Sequence, residues 1–142
     1  MGKVRTRLVL ANPLKPGLSP IEVEAFVDIG VMHLCVPERL VAQLEFNERE
    51  KREMTLVNGA KCLIPYVGPV EVLFGDRSCF VGALAMGDEV LLGAIPMEDM
   101  DLVVLPLTRE VTVNPLSPNI PTSIAKWFGK SFSRTVARNN TQ

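Results

Sequence analysis

The chain has 142 residues, a length that predicts a single domain. Its 15 Lys and Arg residues against 16 Asp and Glu residues give a net charge of -1, so the composition excludes a basic nucleic-acid-binding protein, and we expect no nucleic-acid partner. A hydrophobic fraction of 47% excludes wholesale disorder, while 11 Pro and 10 Gly favour many turns over long helices.

The first half of the chain predicts short strands and one brief helix. Strands are predicted over residues 4–10 and Ile21–Val27, where apolar residues alternate with polar ones or run together. A short apolar run at Leu34–Val36 precedes a predicted helix over residues 38–44, which begins directly after a proline. The mixed-charge stretch over residues 48–53 is predicted to be a solvated connection.

Two hairpins are predicted next, each from a turn dipeptide between apolar segments. In residues 54–64 the pair Asn58-Gly59 predicts a type I′ turn, which needs positive φ at both central residues. In residues 70–81 the pair Gly75-Asp76 suits a type II′ turn. Further strands are predicted at residues 90–93, 102–105 and 111–113, with a helical turn at 96–100. The fold class is therefore all-β, or mainly β.

Asp28 stands at the end of an apolar strand and is followed two places on by Gly30. We expect the turn to use the freedom of glycine at φ. One interpretation is a turn-capping Asp that accepts backbone N–H groups. The other is a catalytic carboxylate whose pKa is tuned by a neighbour. No second acid in an apolar setting lies nearby in sequence, so the residues leave both interpretations open.

The segments around Asp28 resemble the retropepsin-like (clan AA) aspartic proteases. Residues 25–31 are similar to the family pattern of apolar residues, Asp, Thr or Ser, Gly and Ala, and Leu91-Leu92-Gly93 is similar to its later apolar-apolar-Gly sequence. The hairpin over residues 54–64 lies where the family has its flap. Residues 91–98 and 114–119 further resemble a short prokaryotic branch. The resemblance implies a closed acid-protease barrel with one or two short helices.

The same resemblance implies an aspartic endopeptidase that acts as a homodimer on a peptide or protein substrate, without a cofactor. Acid-protease chemistry needs two carboxylates that share a proton, and a chain of this length holds one such motif. Asp28 of each subunit would therefore lie on the two-fold axis, with Gly30 as the second implied catalytic residue. The substrate would pair with the tip of the flap. The implied binding residues are Leu56, Val57, Asn58, Gly59 and Ala60.

Two residues depart from the family pattern. Ile29 replaces the usual Thr or Ser, whose hydroxyl bonds across the dimer axis, and Val31 replaces a small residue, which predicts a narrower space around the carboxylate. Two alternatives to a protease follow. One is a catalytically silent homologue that binds peptides as a dimer, and the other is a purely structural dimerisation domain.

Other nucleophile arrangements are weaker. His33, the one histidine, lies two residues from Cys35 on one predicted strand face, about 6.6 Å along the strand, which disfavours a thiol protease. Ser78 and Ser131 have no evident histidine partner, which disfavours a serine triad.

The cysteines indicate neither a disulfide framework nor a metal site. Their number is odd and they form no close pair, which also excludes the paired spacing of a zinc site. We expect Cys62 and Cys79 to pack as small apolar groups. A reducing cytoplasm is the expected location.

The end of the chain is basic, since it contains Lys and Arg residues and no acidic residue follows Glu110. As a helix it would carry opposed stripes with Trp127 at their boundary. The basic stripe is Lys126, Lys130, Arg134 and Arg138, and the apolar stripe is Ile124, Phe128, Phe132 and Val136. A frayed extension and docking on the body or on a partner subunit both stay open, and membrane contact is the least expected role. We divide the chain into a protease-like domain over residues 1–116 and a C-terminal extension over 117–142.

Overall fold

The computed structural model describes residues 4–125, which form nine strands and two short helices. The strands are β1 (Val4–Ala11), β2 (Ile21–Val27), β3 (Leu34–Val36), β4 (Glu48–Thr55), β5 (Lys61–Phe74), β6 (Arg77–Ala85), β7 (Val90–Leu92), β8 (Leu102–Leu105) and β9 (Glu110–Val113). The helices are α1 (Glu38–Gln43) and α2 (Ala94–Asp99).

Six of these strands close into a barrel. They follow the order β1, β2, β7, β3, β6, β5, and β1 pairs again with β5 through Val9, Leu10 and Ala11. The β2–β7 and β3–β6 pairs are parallel, and the other pairs of the ring are antiparallel. Strands β8 and β9 form a separate two-stranded sheet. The mainly β closed barrel predicted from the sequence is confirmed.

Alternating side chains fill the interior of the barrel. In β1, for example, Leu8 and Leu10 are buried while Arg5 and Arg7 point to solvent. Each fully buried aliphatic side chain contributes about 1.5–3 kcal/mol relative to an exposed one. The largest fully buried side chains are Leu8, Leu10, Leu34, Leu44, Leu92, Met100, Val36, Val67, Val70, Val72, Pro37 and Pro96.

The charged stretch over residues 48–53 is a strand, so the prediction of a solvated connection there is wrong. This stretch belongs to β4, which pairs antiparallel with β5 and lies at the edge of the sheet. Its side chains pair with one another, as in the Lys51–Glu48 and Arg52–Glu50 ion pairs. Charged side chains are common on edge strands because they oppose pairing with other chains. The sequence therefore forms a strand in spite of its polarity.

The two predicted hairpins are present, but the first has a different turn. Gly59 has a φ of +84°, whereas Asn58 does not have a positive φ, so the type I′ prediction is wrong. Instead, the Gly59 N–H donates to the Leu56 carbonyl oxygen. The hairpin then has a three-residue loop, which needs one residue in the left-handed region, and Gly59 is that residue. In the second hairpin Gly75 alone of the two central residues has a positive φ, as a type II′ turn requires.

The ends of the chain fall partly beyond this description. From Lys126 onward, the predicted basic and apolar stripes lie outside the described residues. The domain boundary at residue 116 stays a prediction. Within residues 4–125, no helix has the length and apolar character needed to cross a membrane. The cytoplasmic location stays a prediction.

Candidate active site

Asp28 lies at the carboxyl end of β2, where the chain leaves the barrel wall. The parallel pairing of β2 with β7 places Leu92 beside Val27, and the Asp28 N–H donates to the Leu92 carbonyl oxygen at 3.1 Å. The chain then turns, since the Val31 N–H donates back to the Asp28 carbonyl oxygen at 3.1 Å. We call residues 28–31 the Asp28 turn. The core therefore holds the backbone of Asp28 while its side chain is exposed.

The Asp28 carboxylate is oriented by Gly30. Its Oδ1 accepts the Gly30 N–H at 2.9 Å, and a Cβ on residue 30 would lie 3.1 Å from the same oxygen. Gly30 does not have a positive φ, so the expectation that this turn uses glycine for its backbone freedom is wrong. A side chain at residue 30 would crowd the carboxylate in this position, and glycine leaves room for it.

The start of α2 clamps the Asp28 turn from the other side. The Ala94 N–H donates to the Val31 carbonyl oxygen at 2.8 Å, and the Ile95 N–H donates to the Met32 carbonyl oxygen at 2.9 Å. A Cβ on Gly93 would lie 2.6 Å from the Val31 carbonyl oxygen, so the two segments meet backbone to backbone. The structure thus brings together Asp28 and the Leu91-Leu92-Gly93 sequence, which lie far apart in the chain.

Exposed apolar side chains lie in the Asp28 turn and next to it. Ile29 is 68% exposed, Met32 is 62% exposed, and Ile95, which is bonded to Met32 through its backbone, is 41% exposed. Among residues 4–125, no hydrogen bond joins Asp28 to a second carboxyl group. The turn therefore presents one carboxylate together with apolar side chains that are uncovered in the single chain.

The β4–β5 hairpin carries the predicted substrate-binding residues at its tip. The Leu56 N–H donates to the Ala60 carbonyl oxygen at 2.7 Å, and the Ala60 N–H donates to Asn58 Oδ1 at 2.9 Å, which closes the loop. All five tip residues are exposed. No hydrogen bond connects this tip with the Asp28 turn in the described part of the chain. The hairpin is confirmed as an element, and its role as a flap stays a prediction.

Three side chains connect the base of the hairpin to the segment after the Asp28 turn. The Arg52 guanidinium lies 4.0 Å from the centre of the Tyr66 ring, and the His33 ring meets Tyr66 edge to face at 6.0 Å. Burial, and secondarily the Arg52 charge, lowers the pKa of His33. Sequence reasoning missed this contact because β4 was not predicted as a strand, and only its pairing with β5 places Arg52 beside Tyr66.

The two buried cysteines, Cys35 and Cys79, do not supply a reactive thiol. Burial raises the pKa of Cys35, and burial followed by the Asp99 charge raises the pKa of Cys79 to about 12, so both thiols are protonated at neutral pH. His33 lies just before β3 and contacts Tyr66. Within the described residues, no group of three His, Cys, Asp or Glu side chains could hold a metal ion.

Comparison with known proteins identifies the fold. No protein-family model matches the sequence, and no curated protein sequence matches it. The structure is similar to that of the retroviral EIAV protease complexed with the inhibitor HBY-793, with a TM-score of 0.50 and 14% sequence identity. The match covers 73% of this chain and 93% of the EIAV chain. The fold is therefore retropepsin-like, as the sequence resemblance implied.

Proposed function

We propose that this chain, which has the fold of a retroviral aspartic protease, is an aspartic endopeptidase that acts as a homodimer. One observation carries the proposal. A single exposed carboxylate, Asp28, accepts a hydrogen bond from the Gly30 N–H, and the chain around it is bonded to the start of α2 and carries exposed apolar side chains. The EIAV protease supplies the precedent for protease chemistry on this fold.

A second copy would complete the site. Two Asp28 turns that meet on a two-fold axis would bring together two carboxylates, and Ile29, Met32 and their counterparts would be covered. Burial of these exposed apolar side chains would favour association at about 25 cal/mol per Å² of apolar surface. The same contact that hides apolar surface would therefore create the catalytic pair.

The chemistry would require the two carboxyl groups to share one proton, because two carboxyl groups at short distance do not both ionise. The ionised carboxylate would remove a proton from a water molecule as the water oxygen bonds to the peptide carbonyl carbon. The protonated carboxyl group would give its proton to the carbonyl oxygen. The carboxyl group that took the proton from water would then give it to the amide nitrogen as the C–N bond breaks and the amine leaves. A hydroxyl group of the tetrahedral diol would return its proton to the other carboxylate as the acid product forms, so that the pair again shares one proton.

The substrate would be an extended peptide. The exposed tip of the β4–β5 hairpin would act as the flap, and the backbone groups of Leu56, Val57, Asn58, Gly59 and Ala60 would pair with the peptide. Such pairing favours extended chains of many sequences, since main-chain groups supply the affinity. Closure of the hairpin would exclude water from the reacting carbonyl.

The test combines sedimentation with a cleavage assay on a mixed peptide library between pH 4 and 7 (about the range in which such a pair would titrate). We expect the natural protein to sediment as a dimer and to cleave, and Asp28→Asn to keep the dimer and lose cleavage. Equal cleavage by both proteins, or a monomer at high micromolar concentration, would contradict the proposal.

A second candidate is a catalytically silent peptide-binding dimer, and Ile29 is the observation that favours it. The side chain of residue 29 is exposed beside Asp28, where the family has a hydroxyl that bonds across the axis, and an Ile side chain has no donor for that bond. This candidate predicts peptide binding of equal affinity for the natural protein and Asp28→Asn, with cleavage by neither.

A further inference from the structure

A hydrogen-bonded anchor at Asp101 holds the last described part of the chain against the body. The Asp101 carboxylate accepts the Asn114 amide at 3.0 Å, the Thr122 N–H at 2.9 Å and the Ser117 hydroxyl. These bonds, led by the one from Ser117, lower the pKa of Asp101. The carboxylate thus fixes the path of residues 114–122, a segment the proposed protease chemistry does not use.

Arg77 reinforces this anchor from inside. Its side chain is buried, and its guanidinium donates to the carbonyl oxygens of Met100 at 2.9 Å and Ser117 at 2.5 Å. Hydrogen bonds from a charged donor are stronger than neutral ones. The route of the chain after β9 is therefore set by two charged groups, Arg77 and Asp101.

The anchored segment leads to a groove between α2 and β6. The groove is shallow and wide open to solvent, with a volume of about 440 Å³, and it is lined by Phe80, Val81, Ile95, Glu98, Asp99 and Ser123. Phe80 is 62% exposed, which is unusual for a large aromatic side chain on a barrel strand. Neither Glu98 nor Asp99 forms an ion pair within residues 4–125. The groove therefore combines an apolar floor with two unpaired acids.

We propose that this groove binds the stretch of the same chain that follows Ala125, residues 126–132. The stretch has the complementary composition, since it carries two cations and three aromatic rings and no acid. These side chains are Lys126, Lys130, Trp127, Phe128 and Phe132. The cations match the two acids on α2, and the aromatic rings match Phe80, Val81 and Ile95.

The length of chain restricts the occupant. Ser123 already lines the groove, and an extended chain advances at most about 3.6 Å per residue, so Trp127 reaches no further than about 14 Å from it. A neighbouring cavity shares Phe80 and Val81 but carries Arg49, whose charge opposes a basic segment. Of these two cavities, the groove beside α2 is the one that charge favours, and it lies within reach of the segment.

The single tryptophan of the chain makes the proposal testable in the full-length protein. We expect the emission of Trp127 to be blue-shifted and its quenching by acrylamide to be weaker than that of a free peptide of residues 126–138. Both properties should be independent of protein concentration, because the segment binds its own chain. Emission equal to that of the free peptide would overturn the proposal.

Matched variants locate the binding surface. Phe80→Ser and the pair Glu98→Lys with Asp99→Lys change exposed groove residues, and each should raise the acrylamide quenching constant about twofold or more toward the free-peptide value. The control changes, Leu107→Ser and Glu110→Lys, alter exposed residues on the β8–β9 hairpin and should leave it unchanged. Equal effects of groove and control variants, or no effect of either, would place the segment elsewhere and overturn the proposal.

Carbodiimide coupling gives a second, direct readout that does not depend on variants. We expect amide crosslinks between Lys126 or Lys130 and the carboxyl groups of Glu98 or Asp99, found by mass spectrometry in the monomeric fraction. Crosslinks confined to other acids, or to covalent dimers only, would show that another surface or a second copy receives the segment.

Discussion

Gly93 meets the Asp28 turn so closely that a Cβ on it would lie 2.6 Å from the carbonyl oxygen of Val31. The next two N–H groups, those of Ala94 and Ile95, donate to the carbonyl oxygens of Val31 and Met32. A site residue at position 28 therefore depends on a glycine 65 positions later (93 − 28). The position of the carboxylate is a tertiary property, set by contact between two backbones.

Replacement of Gly93 by Ala should disturb this contact. The methyl group would push the start of α2 away from the Asp28 turn, and overpacking of this kind costs about 1–3 kcal/mol. Urea unfolding should show the loss of free energy of unfolding. Gly17→Ala is the matched control, since nothing lies within 4 Å of a Cβ there, and we expect it to be neutral. Equal stability of the two variants would mean that the contact of Gly93 with the Asp28 turn does not stabilise the fold.

Replacement of Gly59 by Val should weaken peptide binding more than it destabilises the fold. Gly59 has a φ of +84° and its Cβ would meet open space, so the cost comes from backbone strain alone, about 1–2 kcal/mol for a side chain in the left-handed region. A reshaped hairpin tip should lower the affinity for an extended peptide about tenfold, measured by titration calorimetry. Gly17→Val serves as control. Unchanged affinity in Gly59→Val would show that the hairpin does not act as a flap.

Sequence patterns predicted most of the barrel because its strands alternate locally. They failed where a long-range contact decides the structure. The charged residues of β4 indicated a solvated connection, yet backbone pairing with β5 makes them an edge strand. The position of Asp28 was predicted correctly as the end of β2, but the reason for Gly30 was not, since it depends on where the Asp28 carboxylate points.

The remaining parts of the site could not be derived from local patterns. The contact of Arg52 with Tyr66, and of Tyr66 with His33, joins the two strands of the β4–β5 hairpin to the distant segment just before β3. The Asp101 anchor likewise depends on the return of residues 114–122 to the body. Turns, alternation and spacing carry no signal for such contacts, because each partner is an ordinary residue in its own segment.

Replacement of Ile29 by Thr should raise cleavage with little change in dimer affinity. Each hydroxyl bond across the axis would contribute about 1 kcal/mol net, and the lost apolar burial would cost a similar amount. The cleavage rate depends more strongly than dimer affinity on how the Asp28 carboxylates are oriented, since an error of about 1 Å at reacting groups lowers a rate about 10²-fold. We expect kcat/KM to rise by up to about 10²-fold.

Ile29→Val is the control, because Val has the shape of Thr without its hydroxyl. It should leave cleavage unchanged, and sedimentation should give all three proteins dimer dissociation constants within about tenfold of one another. An active natural enzyme that loses cleavage in Ile29→Thr would show that this chain orients Asp28 in its own way.

Acid should release the Asp101 anchor. Hydrogen bonds from Ser117, then Asn114 and Thr122, lower the pKa of Asp101 from its usual 3.8. The stabilisation is therefore fully present above that value, and it is lost as the pH falls through the lower pKa of the folded state. Asp101→Asn should be less stable than the natural protein at neutral pH, and the difference should shrink below about pH 4. Urea unfolding between about pH 2.5 and 7 measures both curves. A difference that stays constant with pH would exclude Asp101 as the titrating anchor.

Mixing of subunits tests most directly whether one site uses an Asp28 from each of two chains. Natural protein is combined with an equal amount of Asp28→Asn, subunits are allowed to exchange at constant total concentration, and cleavage is measured against natural protein alone. If both carboxylates are needed, mixed dimers are inactive and activity falls to about one quarter. A fall to about one half would mean that each chain acts with its own Asp28, and it would contradict a shared catalytic pair.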